Sequence, residues 1–289
     1  SDLVERNAAI GTGSFWGKLQ WRKLVIEAEY AFLYGNINDS RLTRFENGVD
    51  LGFAEDSENI ELNQHGAALR GKYSLLKNDA LKLEFLVAFA TGDEGAGWGV
   101  RPLLGRNASL GRVGGVWDGN QSADGDVTNF RFNPAFNFDL ILWRQLVGTL
   151  TDGLVLRPSV QYNLTKELGA RFDLVYSRAL VSDSTPSGSL SDEDNEVTVV
   201  DGAENVPDIG GASHSLGFEL DFKLFFDSDD GFHAWFQYGL FIPMDALDRL
   251  VPVSAEREEE AVYQVGAQRV ERIDASLAHT LQLMLGITF

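Results

Sequence analysis

The last fifteen residues, A-S-L-A-H-T-L-Q-L-M-L-G-I-T-F at positions 275–289, decide the fold. From Leu277 onward every second residue is large and apolar except His279, and the residues between them are small or polar except Met284. Successive side chains of a β-strand point to opposite faces. The stretch therefore predicts a strand with one apolar face and one small or polar face, long enough to cross a bilayer when tilted.

The same stretch resembles the closing strand of bacterial outer-membrane β-barrels, which typically ends in an aromatic residue, most often Phe. The resemblance implies that Phe289 belongs to the signal that the barrel assembly machinery recognises. Taken alone, the stretch leaves one alternative open, which is an edge strand of a soluble sheet.

Composition restricts the class of protein. The 289 residues include 30 Gly, 7 Pro and no Cys, which excludes disulfides and is compatible with a bacterial envelope protein. A transmembrane helix needs roughly 18 consecutive apolar residues, and the sequence has no such run. The formal net charge of −19 argues against a nucleic-acid partner. The chain begins S-D-L-V-E-R without a signal peptide, so we expect that one has been removed or that the translated product is longer.

Eight further stretches alternate in the same way and predict strands at residues 9–20, 24–35, 63–75, 81–89, 154–164, 168–177, 216–226 and 232–242. The connections are short near residues 21, 78, 166 and 229, and long over residues 36–62, 92–152, 181–213 and 244–274. We expect the long connections to be polar loops, the last of them partly helical. Short periplasmic turns that alternate with long extracellular loops are typical of transmembrane barrels.

Charged residues occupy the face opposite to the apolar one in the clearer strands. Since unpaired charges are too costly for a packed core, we expect the charged face to line a hydrated lumen and the apolar face to meet lipid. The sequence predicts an all-β fold, a single antiparallel transmembrane β-barrel domain over residues 1–289. Arg70 is expected opposite Glu84 across the hairpin near Asn78. The predicted pore-lining residues are Lys18, Glu27, Glu29, Arg70, Lys72, Lys82, Glu84, Arg157, Arg171, Asp173, Glu219, Asp221 and Lys223.

The number of strands raises a problem of parity. Nine strands place the two ends of the barrel on opposite sides of the membrane, whereas bacterial barrels nearly always have an even number of strands. Either residues 9–20 are not a strand and eight strands close a small barrel, or the chain is the carboxy-terminal part of a larger barrel. We favour the second interpretation, in which a further polypeptide or an upstream segment completes the barrel.

Two features of the long loop before residue 153 suggest sites. Residues 139–144, D-L-I-L-W-R, are apolar within a polar loop, and they could fold into the barrel mouth with Asp139 and Arg144 at a constriction. A strand extending above the membrane is the alternative. Asp118, Asn120, Ser122, Asp124 and Asp126 offer oxygen ligands at alternate positions, as calcium loops do.

The calcium interpretation is weak. Ala123 stands where a calcium loop has Gly, and Asn129 stands where it has Glu. A solvated acidic loop is favoured, and divalent ions could bridge such loops to lipopolysaccharide. His65, His214 and His279 lie near predicted strand starts without a spaced nucleophile and orienting acid. The sequence therefore predicts neither an enzyme nor a cofactor.

The block F-N-F-D-L-I-L-W-R-Q-L-V-G at residues 136–148, with the strands over residues 154–164 and 168–180, resembles large outer-membrane barrels of myxobacteria and their relatives. These are distantly similar to porins of the alginate-export type. The resemblance implies a passive channel for ions or small polar solutes in the outer membrane of a Gram-negative bacterium. It implies no particular substrate. The alternative is a non-conducting structural or docking barrel whose acidic loops bind a partner in an envelope assembly.

Overall fold

A computed structural model describes residues 8–37, 43–46, 49–53, 60–93, 126–190, 197–199, 211–253, 263–265 and 268–288. Nine long strands form one antiparallel sheet in which each strand pairs with its neighbours in sequence. They are β1 (Ala8–Trp21), β2 (Leu24–Ile37), β3 (Ile60–Leu75), β4 (Leu81–Ala90), β5 (Gly153–Asn163), β6 (Leu168–Ala179), β7 (Ser215–Asp227), β8 (Phe232–Pro243) and β9 (Ala278–Ile287). The predictions of an all-β antiparallel fold and of nine strands are confirmed, and each strand ends within three residues of its predicted limits.

The short turns use residues that accept unusual backbone angles. Asn78 and Asp79, between β3 and β4, have φ values of 62° and 54°, and Asn and Asp tolerate this left-handed region better than most residues. Gly231, between β7 and β8, has φ 81°. Thr165 accepts hydrogen bonds from the backbone N–H groups of Glu167 and Leu168 between β5 and β6. These turns join consecutive strands at one end of the sheet.

The sheet remains open in the described part of the chain. Its order ends at β1 on one side and at β9 on the other, and these two strands do not pair with each other. As the first and ninth strands of an antiparallel series, β1 and β9 run in the same direction. Direct closure would therefore need a parallel pair.

The long connections contain more structure than the sequence predicts. Thr43–Glu46 pairs with Val49–Phe53, and Asp126–Val127 pairs with β3 in parallel. The expectation that residues 244–274 are partly helical is met by one 3-10 turn, Asp245–Leu247; the other described elements of the region are short strands, and residues 254–262 and 266–267 lie outside the described residues. Four short strands from two connections form a second sheet: Val197–Val199, Tyr263–Val265, Gln268–Ile273 and Arg249–Pro252. Because these strands come from two different connections, their pairing cannot be predicted from the sequence of either connection alone.

The apolar core lies on the charged side of the sheet. Residues 136–148, the inserted segment, cross this face and include a π-helical turn, Leu142–Leu146. Phe138 and Trp143 of the segment pack with Leu86 and Val155 of the sheet. No helix in the described ranges is long and apolar enough to span a bilayer.

Candidate functional site: the charged face of the sheet

The strand register brings the predicted charged residues onto one face. Residues directly opposite each other in a ladder share a face. One continuous row takes a single residue from each of the nine strands: Gln20, Val25, Lys72, Glu84, Ser159, Asp173, Asp221, Gly239 and Thr280. Lys18, Glu27 and Arg70 occupy the adjacent row. Each of the remaining predicted pore-lining residues is an even number of positions from a residue of these two rows on its own strand. They therefore lie on the same face.

The predicted pairing of Arg70 with Glu84 is wrong in register. Lys72 lies directly opposite Glu84, and Arg70 lies opposite Leu86. A hairpin centred on Asn78 pairs residues equidistant from it, which places Glu84 opposite Lys72. Arg70 still approaches Glu84 diagonally, with 3.7 Å between Nε and Oε1.

Glu84 is the centre of an ion network. Its carboxylate lies 3.2 Å from the guanidinium groups of both Arg157 and Arg171, and 3.3 Å from the Lys72 ammonium. Arg171 also binds Asp173, with 2.7 Å between Nη2 and Oδ1. Buried charges are tolerated when they are paired, and the ion pairs of this network extend across four strands.

Two charged residues of the sheet hold the backbone of the inserted segment. The Glu219 carboxylate accepts hydrogen bonds from the N–H groups of Leu140 and Ile141 at 2.8 Å, and from that of Leu142 at 3.2 Å. Arg157 donates to the carbonyl oxygens of Asn137 and Phe138 at 3.0 and 2.9 Å. The alternation of side chains predicted that Glu219 lies on the charged face. Nothing in the sequence indicates that its carboxylate accepts hydrogen bonds from the inserted segment.

Side-chain contacts extend this attachment across the face. The Trp143 indole N–H donates to Ser177 at 2.9 Å, and the Gln145 amide donates to Thr280 at 3.3 Å. Asp139 accepts the N–H groups of Trp143 and Arg144 and so caps the π-helical turn. The segment therefore lies over the charged face and does not extend the sheet as a strand.

A cavity of about 670 Å³ lies beside the inserted segment on this face. Both Asp139 and Arg144 line it. Eight of the predicted pore-lining residues do so as well: Arg70, Lys72, Glu84, Arg157, Arg171, Asp173, Asp221 and Lys223. The other five, Lys18, Glu27, Glu29, Lys82 and Glu219, are not among its lining residues. Lys18 and Glu27 form an ion pair of 2.8 Å at the β1 side. That the thirteen residues line a pore stays a prediction.

Aromatic residues of the cavity were missed by sequence reasoning. Arg70 lies 5.6 Å above the Phe136 ring, and Lys223 lies 5.3 Å above the Trp235 ring. Phe225 also lines the cavity. The alternation could have found Phe225 and Trp235, since each is two residues from a polar inward position on its own strand.

Asp152, in the connection before β5, ties together the end of the sheet that carries the long connections. It accepts hydrogen bonds from the N–H groups of Leu180 and Val181 at 3.1 and 2.8 Å, and from the Ser184 hydroxyl. Burial raises its pKa to about 7, although these hydrogen bonds act in the opposite direction. The side chain is fully buried.

Three histidines, His65, His214 and His233, have hydrogen-bonding roles. His65 lies 2.7 Å from both the Tyr30 hydroxyl and Asn63 Oδ1, and His214 lies 3.1 Å from the Ala179 carbonyl oxygen. His233, which sequence reasoning passed over, bridges Asp227 and Thr288 at 2.9 and 3.1 Å. The bridge connects the β7–β8 hairpin to the end of β9.

The metal and assembly predictions lie largely outside the described residues. Those residues contain no group of three or more His, Asp or Glu side chains that could hold a metal ion. Asp118, Asn120, Asp124 and Phe289 lie outside the described ranges, and only the backbone of Asp126 is within them. Comparisons with protein-family models and with characterised proteins give no match to this chain.

Proposed function

We propose that this chain forms most of a transmembrane β-barrel in a bacterial outer membrane and conducts ions or small polar solutes through its interior. The observation that carries the proposal is the contrast between the two faces of the sheet. One face bears a network of charges beside a cavity, and the other exposes apolar side chains along its whole width.

The apolar face is too extensive for contact with water. Leu281, Leu283 and Leu285 of β9 are 65, 67 and 65% exposed. The same face continues through exposed residues of every other strand, including Leu19, Tyr34, Leu69, Phe85, Val160, Phe172, Phe222 and Tyr238. Soluble monomers rarely expose contiguous apolar patches of more than a few hundred Å², and contact with lipid accounts for such a face.

Barrel closure needs additional strands in this proposal. Both faces of β1 are exposed, with Phe15 on the apolar face and Trp16 on the charged face, at 69 and 65%. An odd number of added strands between β1 and β9 would pair antiparallel with both edges and give an even total. A further polypeptide or an upstream segment would supply them, and the barrel assembly machinery would insert the chain.

The inserted segment supports the alternative of a non-conducting structural or docking barrel. It lies across the charged face and is held there by Glu219, Arg157 and Ser177. In a conducting barrel it narrows the lumen and places Arg144 beside the remaining cavity. In a docking barrel it closes the lumen, and the long acidic loops bind a partner.

Conductance separates the two functions. The protein is extracted from outer membranes with any chain that co-purifies and is added to a planar lipid bilayer. We expect stable unitary current steps. A protein that inserts into the bilayer without producing steps would contradict the channel and favour the docking barrel.

A further inference from the structure

The charges that line the cavity are not equally available to a solute. Its carboxylates are mostly engaged: Glu84 and Asp173 within the ion network, Asp139 with backbone N–H groups, and Asp227 with His233. Among the described residues, neither Arg144 nor Lys223 has a carboxylate within ion-pairing distance, although both line the cavity. Asp221 also lines the cavity, but its carboxyl oxygen without a donor has almost no accessible surface, so the unpaired charge that a solute can reach is positive.

The two available cations are positioned differently. Lys223 lies over the Trp235 ring, which limits its motion. The backbone of Arg144 belongs to the π-helical turn that Asp139 and Glu219 hold, and its side chain is exposed. Charge-assisted hydrogen bonds to carboxylates are among the stronger ones.

The positive charge at the cavity is a local feature, because the chain as a whole is acidic. The chain carries a net charge of −19, yet its internal cavity presents unpaired basic groups beside aromatic rings. The volume of about 670 Å³ suits a small organic molecule.

We propose that the cavity is a binding site for small organic carboxylates, which Arg144 and Lys223 engage as the solute passes the inserted segment. Aromatic rings contact the carbon chain. The proposal rests on the channel function proposed above, and it adds a preference for anions.

Solute entry into liposomes tests this preference with three molecules that share a four-carbon chain: succinate, 1,4-butanediol and putrescine. The protein is reconstituted together with any chain that co-purifies, and entry into protein-free liposomes is subtracted because 1,4-butanediol crosses lipid bilayers unaided. We expect succinate to enter about tenfold faster than putrescine, the ratio that one or two charge-assisted contacts give. Replacement of both cations, in the double variant Arg144→Met and Lys223→Met, should lower the ratio of succinate entry to 1,4-butanediol entry about tenfold.

Matched controls replace exposed cations away from the cavity. Lys166 lies in the β5–β6 turn, and Arg249 lies in the short strand Arg249–Pro252. Lys166→Met and Arg249→Met should each leave succinate entry unchanged. Equal or faster putrescine entry while 1,4-butanediol enters would overturn the anion site and leave the channel standing. Exclusion of all three solutes would contradict the channel itself, and the anion site with it.

Discussion

At the scale of single residues, Asp152 makes stability depend on pH. Its pKa is raised from 3.8 to about 7 by burial, so the folded chain holds a proton that the unfolded chain releases. Stability should then fall as pH rises from about 4 to about 7, by on the order of 4 kcal/mol, and stay constant above that range. Asp152→Asn, which keeps the shape and tolerates the φ of 42°, should abolish this slope. Urea unfolding of the detergent-solubilised protein from about pH 4 to about pH 9 measures it, and equal slopes in both proteins would refute the assignment.

Glu219 should control the position of the inserted segment. Glu219→Gln keeps the side-chain volume but replaces one acceptor oxygen by an amide donor that faces backbone N–H groups. We expect a loss of about 2 kcal/mol in the attachment of the segment, and faster proteolysis within residues 136–148. Glu29→Gln is the matched control, since Glu29 is exposed on the same face at the β1 side. Proteolysis that is equally slow in both variants would contradict this role.

At the scale of elements, the β1 edge should bind another strand. The chain contains no cysteine, so a single introduced thiol reports one contact. Ser14→Cys lies on β1, and the control Ala31→Cys lies directly opposite it on β2, between two strands of this chain. In outer membranes, a short thiol-to-amine cross-linker should join the thiol introduced on β1 to a segment outside residues 8–288. An equal yield of cross-linked product from Ala31→Cys, or cross-links only within residues 8–288, would contradict the proposed added strand.

The scale of elements also shows what a sequence can and cannot predict here. Alternation with period two locates all nine strands and both faces, because successive side chains of a strand point to opposite faces. Alternation alone does not give the register, which depends on the centre of each turn: a hairpin centred on Asn78 places Lys72, and not Arg70, opposite Glu84. Nor can it predict that Glu219 and Arg157 hold residues 137–142, because those hydrogen bonds join positions 19 to 79 residues apart.

At the scale of the whole molecule, the two faces should respond differently to the same substitution. Leu283→Lys places a charge on the apolar face of β9, whereas Gln282→Lys places it on the opposite face, one residue away. A lysine in contact with the middle of a bilayer costs roughly 2–4 kcal/mol. We expect Leu283→Lys to lower the yield of folded protein in membranes and Gln282→Lys to leave it nearly unchanged. Equal yields would argue against burial of this face in lipid.

The most direct test of the transmembrane barrel places a spin label at these same two positions. Leu283→Cys and Gln282→Cys are labelled separately in outer membranes. The 289 residues contain no cysteine, so labelling of membranes with the unsubstituted protein gives the background from other thiols. Accessibility to lipid-soluble oxygen and to a water-soluble nickel chelate is then measured. The proposed barrel predicts that the label at position 283 responds mainly to oxygen and the label at position 282 mainly to the chelate. A label at position 283 that the chelate reaches as readily as the label at position 282 would contradict it.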